Sequence, residues 1–281
     1  MPELPEVEIM VRRLGAALEG SVVDSALVKG VGTLKSFDPP LSELRGRAFA
    51  GMARRSKLLI ATFEGELSLI VHLMSAGRLQ LFEKPGSLKD RTLRLAIRLT
   101  DGRELRLREF GTHQRAWAKL IRSADVPAEP EVAKLGPEAW PDPPGLEALL
   151  DDARPLHSML RDQRVLAGIG RSWADEILFT ARLSPFKRGN TLTELEAETL
   201  RDAVVERLGS AIAHYEEVVG PTIPDKLPMP LTVHGRQGSP CPRCGTTLEA
   251  VFFEDYVVAY CPHCQTGDRL LKDRRLSKLL K

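Results

Sequence analysis

The apolar positions change period along the chain, and those changes divide it. Val7, Met10, Val11, Leu14 and Leu18 recur at helical spacing, which predicts an amphipathic helix over residues 5–18. From about residue 20 to 125 the pattern turns to short apolar or alternating runs, such as Leu58–Phe63, Leu67-Ser68-Leu69-Ile70-Val71 and Leu93–Leu99. Glu64-Gly65, Lys84-Pro85-Gly86 and Asp101-Gly102-Arg103 separate them, as turns separate antiparallel strands. This half reads as an antiparallel β-sandwich with a leading helix. Prolines then crowd residues 127–144, as in a linker. Helical spacing returns over 145–219, in the stretches 145–152, 172–181 and 194–219.

A chain of 281 residues, 43% hydrophobic and 28% charged, has the length of two modest domains and the composition of a soluble globular protein. It has no apolar run of about 18 residues, and its start lacks a basic segment followed by an apolar one. The expectation is no membrane partner and a cytoplasmic location, at the nucleoid if the host is bacterial. A net charge of +2 says little about nucleic acid. Its distribution says more, because residues 269–281 hold six Lys or Arg against one Asp. Such a tail can bind phosphates or can simply be a solvated terminus.

All four cysteines lie within 241–264. Cys241-Pro242-Arg243-Cys244 and Cys261-Pro262-His263-Cys264 form two Cys-x-x-Cys knuckles separated by sixteen residues. Two knuckles complete a tetrahedral sulfur site that suits one structural Zn2+ and leaves no position open for catalysis. Within the spacer, 250–253 and 256–260 can pair as two short strands. Such a ribbon is too small to fold without its metal, and ribbons of this kind serve DNA, RNA and protein contacts alike.

Pro2 follows Met1 directly, and removal of Met1 would leave a secondary amine at the N-terminus. An α-amino group titrates near 7.7–8.0, far below lysine's roughly 10.4, so part of it is free to attack an electrophilic carbon. Glu3 and Glu6 lie close by in sequence and could serve as general acid and base. Read locally, the same residues are ordinary helix-start residues.

The wider pattern changes that balance. Met1-Pro2-Glu3-Leu4-Pro5-Glu6-Val7-Glu8 resembles the opening of the formamidopyrimidine-DNA glycosylase and endonuclease VIII family, and the four-cysteine ribbon resembles that family's zinc finger. Arg54-Arg55-Ser56-Lys57 is similar to its Arg-Gly-Lys segment. Leu166-Ala167-Gly168-Ile169-Gly170 with Trp173-Ala174-Asp175-Glu176 is similar to its helix–two-turn–helix, and Val233-His234-Gly235-Arg236 also fits. The resemblance spans nearly the whole chain, in order.

It implies an α+β fold. A β-sandwich catalytic domain over 1–125 and a linker over 126–144 would precede a helix–two-turn–helix domain over 145–230, a zinc finger over 231–266 and a basic tail over 267–281. It implies a monomer that takes double-stranded DNA carrying damaged bases or abasic sites. Pro2 would be the Schiff-base nucleophile, Glu3 the acid at the sugar and Glu6 their support. Lys57 would contact phosphate beside the lesion and assist elimination. Arg108 and Phe110 would fill the gap left by an extruded base, with Met74 as a wedge and Arg171 and Arg236 as further DNA contacts.

The chain also departs from the family pattern. Arg171 stands where Asn is usual after Gly-Ile-Gly. His72-Leu73-Met74-Ser75-Ala76-Gly77 shifts the wedge methionine by one residue, which on a strand reverses its face. Tyr256, beside Glu254 and Asp255, stands where the family's hairpin has an arginine that grips phosphate. The segment 220–228 is shorter than the family's capping loop. Beyond Cys264, Leu270, Leu271, Leu276, Leu279 and Leu280 alternate with basic residues as in an amphipathic helix. The expected function is a base-excision-repair glycosylase with abasic-site lyase activity on oxidised or ring-opened bases. The alternatives are a lesion-binding member with weak or absent catalysis and a zinc-ribbon module with no lesion role.

Overall fold

The computed structural model describes residues 2–271 apart from Val31, Thr112 and Asp255. The chain divides into two compact units, residues 1–134 with 212–228, and residues 135–211 with 229–281.

In the first unit, helix α1 (Leu4–Leu18) buries the whole predicted stripe, Val7, Met10, Val11, Leu14 and Leu18. Each such side chain, fully buried, stabilises by roughly 1.5–3 kcal/mol. Eight strands follow: β1 (Val23–Val28), β2 (Phe49–Arg55), β3 (Leu58–Phe63), β4 (Leu67–His72), β5 (Gly77–Phe82), β6 (Leu93–Leu99), β7 (Glu104–Glu109) and β8 (Trp117–Arg122). They form two antiparallel sheets in the orders β1-β6-β7-β5 and β2-β3-β4-β8. β3 and β6 span the predicted runs, and β4 runs one residue past its own. β2 and β3 are joined by a two-residue hairpin, Ser56-Lys57, with Arg55 paired to Leu58. A salt bridge from Glu8 to Arg54 at 2.6 Å joins α1 to β2, and one from Glu8 to Arg12 at 2.8 Å lies within α1.

The proline-rich stretch holds more structure than a linker. A 3-10 helix (Ser123–Ala128) leads into the four-residue α2 (Pro130–Ala133), and Glu138 forms an isolated bridge with Ala167. The helical expectation for 145–152 is corrected to a single 3-10 turn, Glu147–Leu149. Two prolines precede that segment and two aspartates end it, leaving too few residues to nucleate a helix.

The second unit contains α3 (Leu156–Leu160), α4 (Arg171–Thr180) and most of α5 (Glu194–Val218), whose last turns, from Ile212, belong to the first unit. The finger follows with β9 (Glu249–Phe252), β10 (Val257–Tyr260) and α6 (Pro262–Thr266). β9 and β10 pair in register from Val257–Phe252 to Tyr260–Glu249. Phe179, Val233, Cys241, Leu248 and Cys261 form one buried cluster, so the finger shares a core with α4. The predicted tail helix from residue 272 onward lies outside the described residues. Among the described residues no helix is long and apolar enough to cross a membrane.

Candidate active site and nucleic-acid interface

The N-terminus of α1 is a dense carboxylate centre. Glu3 caps the helix and Pro5 occupies its first turn, a position that suits proline because its missing N–H would find no helical partner there. A capping box closes it: the Glu3 side chain accepts from the Glu6 backbone N–H, while Glu6 Oε2 accepts from the Glu3 N–H at 2.8 Å. Glu6 Oε1 accepts from the Tyr215 hydroxyl at 2.6 Å. Glu3 and Glu6 are 2% and 3% exposed and Tyr215 is fully buried, whereas Pro2 is half-buried. Burial first, and then the negative charge of Glu6, raises the Tyr215 phenol above its ordinary pKa, so it remains a donor. Both Glu6 oxygens therefore accept hydrogen bonds, an arrangement that suits positioning better than proton transfer.

Lys57 sits at the β2–β3 hairpin tip and is only 8% exposed, not a solvated sheet lysine. Ser56 precedes it at φ 55°, in the left-handed region that favours glycine. Close by, His72 stacks on Trp117 at 5.7 Å and accepts from the Met74 N–H at 3.0 Å. Burial, and then the charges of Lys57 and Lys35, lower the His72 pKa to about 4. The imidazole is neutral near pH 7.

Arg108 lies between two rings, its guanidinium carbon 5.1 Å from Phe82 and 4.9 Å from the half-exposed Phe110. Its edge donates to Gln80 Oε1 at 2.7 Å and Asp225 Oδ1 at 2.5 Å. The short 220–228 segment thus reaches the candidate gap-filling arginine. Met74 lies in the β4–β5 turn, not on a strand, with φ 50°, so the face-reversal argument does not apply to it. The turn is pinned beside Phe110, whose N–H donates to Ala76 O at 3.3 Å, and Gly77 pairs with Glu109. Gly77 must be glycine here, because a Cβ would fall 2.4 Å from Leu73 O. Met74, Arg108 and Phe110 therefore gather at one end of the β5–β7 ladder.

In the second unit Arg171 is the first residue of α4, and its guanidinium carbon lies 4.7 Å from the Tyr256 ring. Arg236 is exposed and donates to Leu231 O at 3.0 Å. Arg243 is engaged by Phe179, through a hydrogen bond to its carbonyl and a ring contact at 4.3 Å. Two neighbouring acids anchor the frame. Asp175 Oδ2 accepts from Ala259 N–H at 3.0 Å and contacts His234 Nδ1 at 2.7 Å. Glu176, fully buried, accepts from the N–H groups of Thr232, Val233 and His234 and from Arg207.

The ligand atoms of Cys241, Cys244, Cys261 and Cys264 all lie within 4.8 Å of one another. Zn–S bonds of about 2.3 Å in a tetrahedron place sulfurs about 3.8 Å apart. The observed separations of 4.0 Å for Cys241–Cys264 and 3.5 Å for Cys244–Cys261 match. The four thiolates hold one structural zinc.

Sequence reasoning missed Tyr215, Gln80, Asp225, Asp175 and Glu176. Their signals are weak, because each acts through a contact distant in sequence. Only Trp-Ala-Asp-Glu carried a hint, as part of a motif rather than as anchors.

A sandwich with an acid-capped leading helix, a helix–two-turn–helix and a four-cysteine finger together define the class of zinc-finger DNA glycosylases. The formamidopyrimidine-DNA glycosylase N-terminal domain matches residues 1–113, the helix–two-turn–helix domain of the same enzymes matches 136–220, and the zinc finger found in them and in isoleucyl-tRNA synthetases matches 238–267. The formamidopyrimidine-DNA glycosylase of Thermus thermophilus is 35% identical over 94% of this chain and 98% of its own, and that of Moorella thermoacetica is 36% identical over 89% and 94%. Among solved structures, the Lactococcus lactis enzyme in complex with DNA containing N7-benzyl-Fapy-dG superposes with a TM-score of 0.85 at 26% identity, covering 94% of this chain and all of that one. The Thermus thermophilus structure superposes at 0.79 with 33% identity, covering 94% and 98%. The chain belongs to the formamidopyrimidine-DNA glycosylase family and is a base-excision-repair DNA glycosylase.

Proposed function

We propose that the protein excises oxidised or ring-opened bases from double-stranded DNA and then cleaves the abasic site, using Pro2 as nucleophile once Met1 is removed. The observation that carries this reading is the buried centre at Pro2, where Glu6 is held from both sides by Tyr215 and the Glu3 N–H. The Pro2 nitrogen attacks C1′, the damaged base departs with the C1′–N electron pair, and Glu3 protonates O4′ as the sugar ring opens. The amine proton is lost and an iminium forms between C1′ and Pro2. Loss of a C2′ proton then expels the 3′ phosphate, with Lys57 balancing its charge, and water releases Pro2. Zinc supplies structure only. Met74, Arg108 and Phe110 fill the gap left by the extruded nucleotide. The protein works as a monomer, in the cytoplasm or at a nucleoid.

Borohydride trapping on duplexes carrying an abasic site or an oxidised purine tests the reading. A covalent adduct in protein lacking Met1, lost in P2G, supports it. Binding without any adduct across a lesion panel overturns it in favour of a lesion-binding protein with feeble catalysis.

A further inference from the structure

Arg108 is held before any DNA arrives. Its Nη2 donates to Gln80 Oε1 at 2.7 Å and to Asp225 Oδ1 at 2.5 Å, and its Nε reaches the same Gln80 oxygen at 3.3 Å. Three of the five guanidinium N–H groups are thereby engaged. The Phe82 and Phe110 rings lie 5.1 Å and 4.9 Å from its guanidinium carbon. The arginine proposed to enter a DNA duplex is folded down onto its own protein, and the acid that holds it there comes from the segment 220–228.

That segment is built as a strap. Ile223 and Leu227 are buried, while Pro224, Asp225 and Lys226 between them are exposed. Pro221, Pro224 and Pro228 stiffen its backbone. Gln80, buried on β5, fastens it, since its amide donates to Ile223 O at 2.8 Å and to Asp225 Oδ1 at 3.1 Å. Arg78 donates to the Asp225 carbonyl. Arg78 and Arg108 stand directly opposite each other on β5 and β7, a like-charge pair that is unfavourable by itself. The Asp225 charge acts on both arginines and offsets that repulsion.

Entry into a duplex is incompatible with this arrangement. An arginine that kept Asp225 would carry a carboxylate among phosphates, which repel it. Arg108 has to let go of Asp225, while the strap stays fastened through Gln80, Ile223 and Leu227. We infer that Asp225 is a latch on Arg108, which keeps the arginine out of intact duplex and yields where a lesion leaves a gap in the base stack. The inference rests on the proposed gap-filling role of Arg108. Asp225 thereby determines specificity through Arg108. The Asp225 side chain is 58% exposed, and a bridge that open to water shifts an equilibrium by about threefold. That is enough to bias a withdrawn arginine and too little to keep it from an unstacked gap, which is worth more.

The test is fluorescence titration of the zinc-loaded full chain with duplexes carrying 2-aminopurine, placed opposite a tetrahydrofuran abasic analogue or, in an intact duplex, opposite thymine. R108M should reduce the fluorescence change on the tetrahydrofuran duplex, which fixes that change as a report on gap filling. D225N should tighten binding to this duplex about threefold, and D225A somewhat more, because asparagine still accepts from Arg108. On intact duplex D225N should raise the small fluorescence change about threefold. In an R108M background D225N should do neither, as a double-mutant cycle would show. Equal gains in both backgrounds would mean that Asp225 acts only as a charge that repels DNA, and would overturn the latch. Weaker binding by D225N would overturn it as well, by making Asp225 a support for the inserted arginine. An unaltered fluorescence change in R108M would overturn gap filling and the latch together, whereas a loss in R108M with no effect of D225N would overturn the latch alone.

Discussion

At the scale of single residues, the proposed catalytic centre depends on Tyr215, a residue 209 positions from Glu6. In Y215F the buried Glu6 Oε1 loses its donor, at a cost of about 1–3 kcal/mol. Urea unfolding should show that loss, and borohydride trapping should slow as Glu6 moves. Ser56 gives the opposite sign. It adopts φ 55° without being glycine, so S56G should raise stability by about 1 kcal/mol, read in the same unfolding curves. His72 sets a pH dependence. Its pKa falls from 6.5 to about 4 on folding, so the unfolded chain binds the extra proton between those values. Its contribution is complete above pH 6.5 and is lost as pH falls towards 4, with a slope of up to about 1.4 kcal/mol per pH unit. H72N should flatten unfolding free energy against pH across that window. Pro2, Glu3 and Lys57 were visible in the sequence because they sit in short motifs. Tyr215 was not, since a tyrosine on a long helix carries no mark of the carboxylate it meets.

At the scale of elements, the apolar pattern located α1, β3, β6 and α4 to within a residue or so, because α1 buries one stripe while β3 and β6 are nearly continuous buried runs bounded by turn residues. It failed at 145–152, where local composition prevents a helix despite apolar spacing. It also misjudged the turn at Met74, since a strand argument has no force in a segment with φ 50°. The helix–two-turn–helix is held to the segment before the finger by Glu176, whose carboxylate gathers three successive backbone N–H groups. E176A should leave those donors unpaired and cost about 3–5 kcal/mol. Hydrogen exchange at residues 232–234 should accelerate before exchange in α1 does.

At the scale of the whole molecule, the proposed chemistry and the zinc site fall in different units of the chain. The proposed catalytic residues Pro2, Glu3, Glu6 and Lys57 belong to the first unit, while the one metal-sized cluster among the described residues is the four cysteines of the finger. Chelation of zinc should therefore disorder the finger and weaken DNA binding while leaving the first unit's unfolding transition in place, as calorimetry with and without chelator would show. The family was legible in the sequence because its motifs span the chain in order. The arrangement of charge on Tyr256 was not, because it arises only when the turn of one motif meets the hairpin of another. Mass spectrometry of the borohydride-reduced adduct formed with abasic-site DNA tests directly whether Pro2 is the nucleophile. A sugar remnant on the Pro2 nitrogen, absent in P2G, is the expected result. A remnant on any lysine, or an undiminished adduct in P2G, would contradict it.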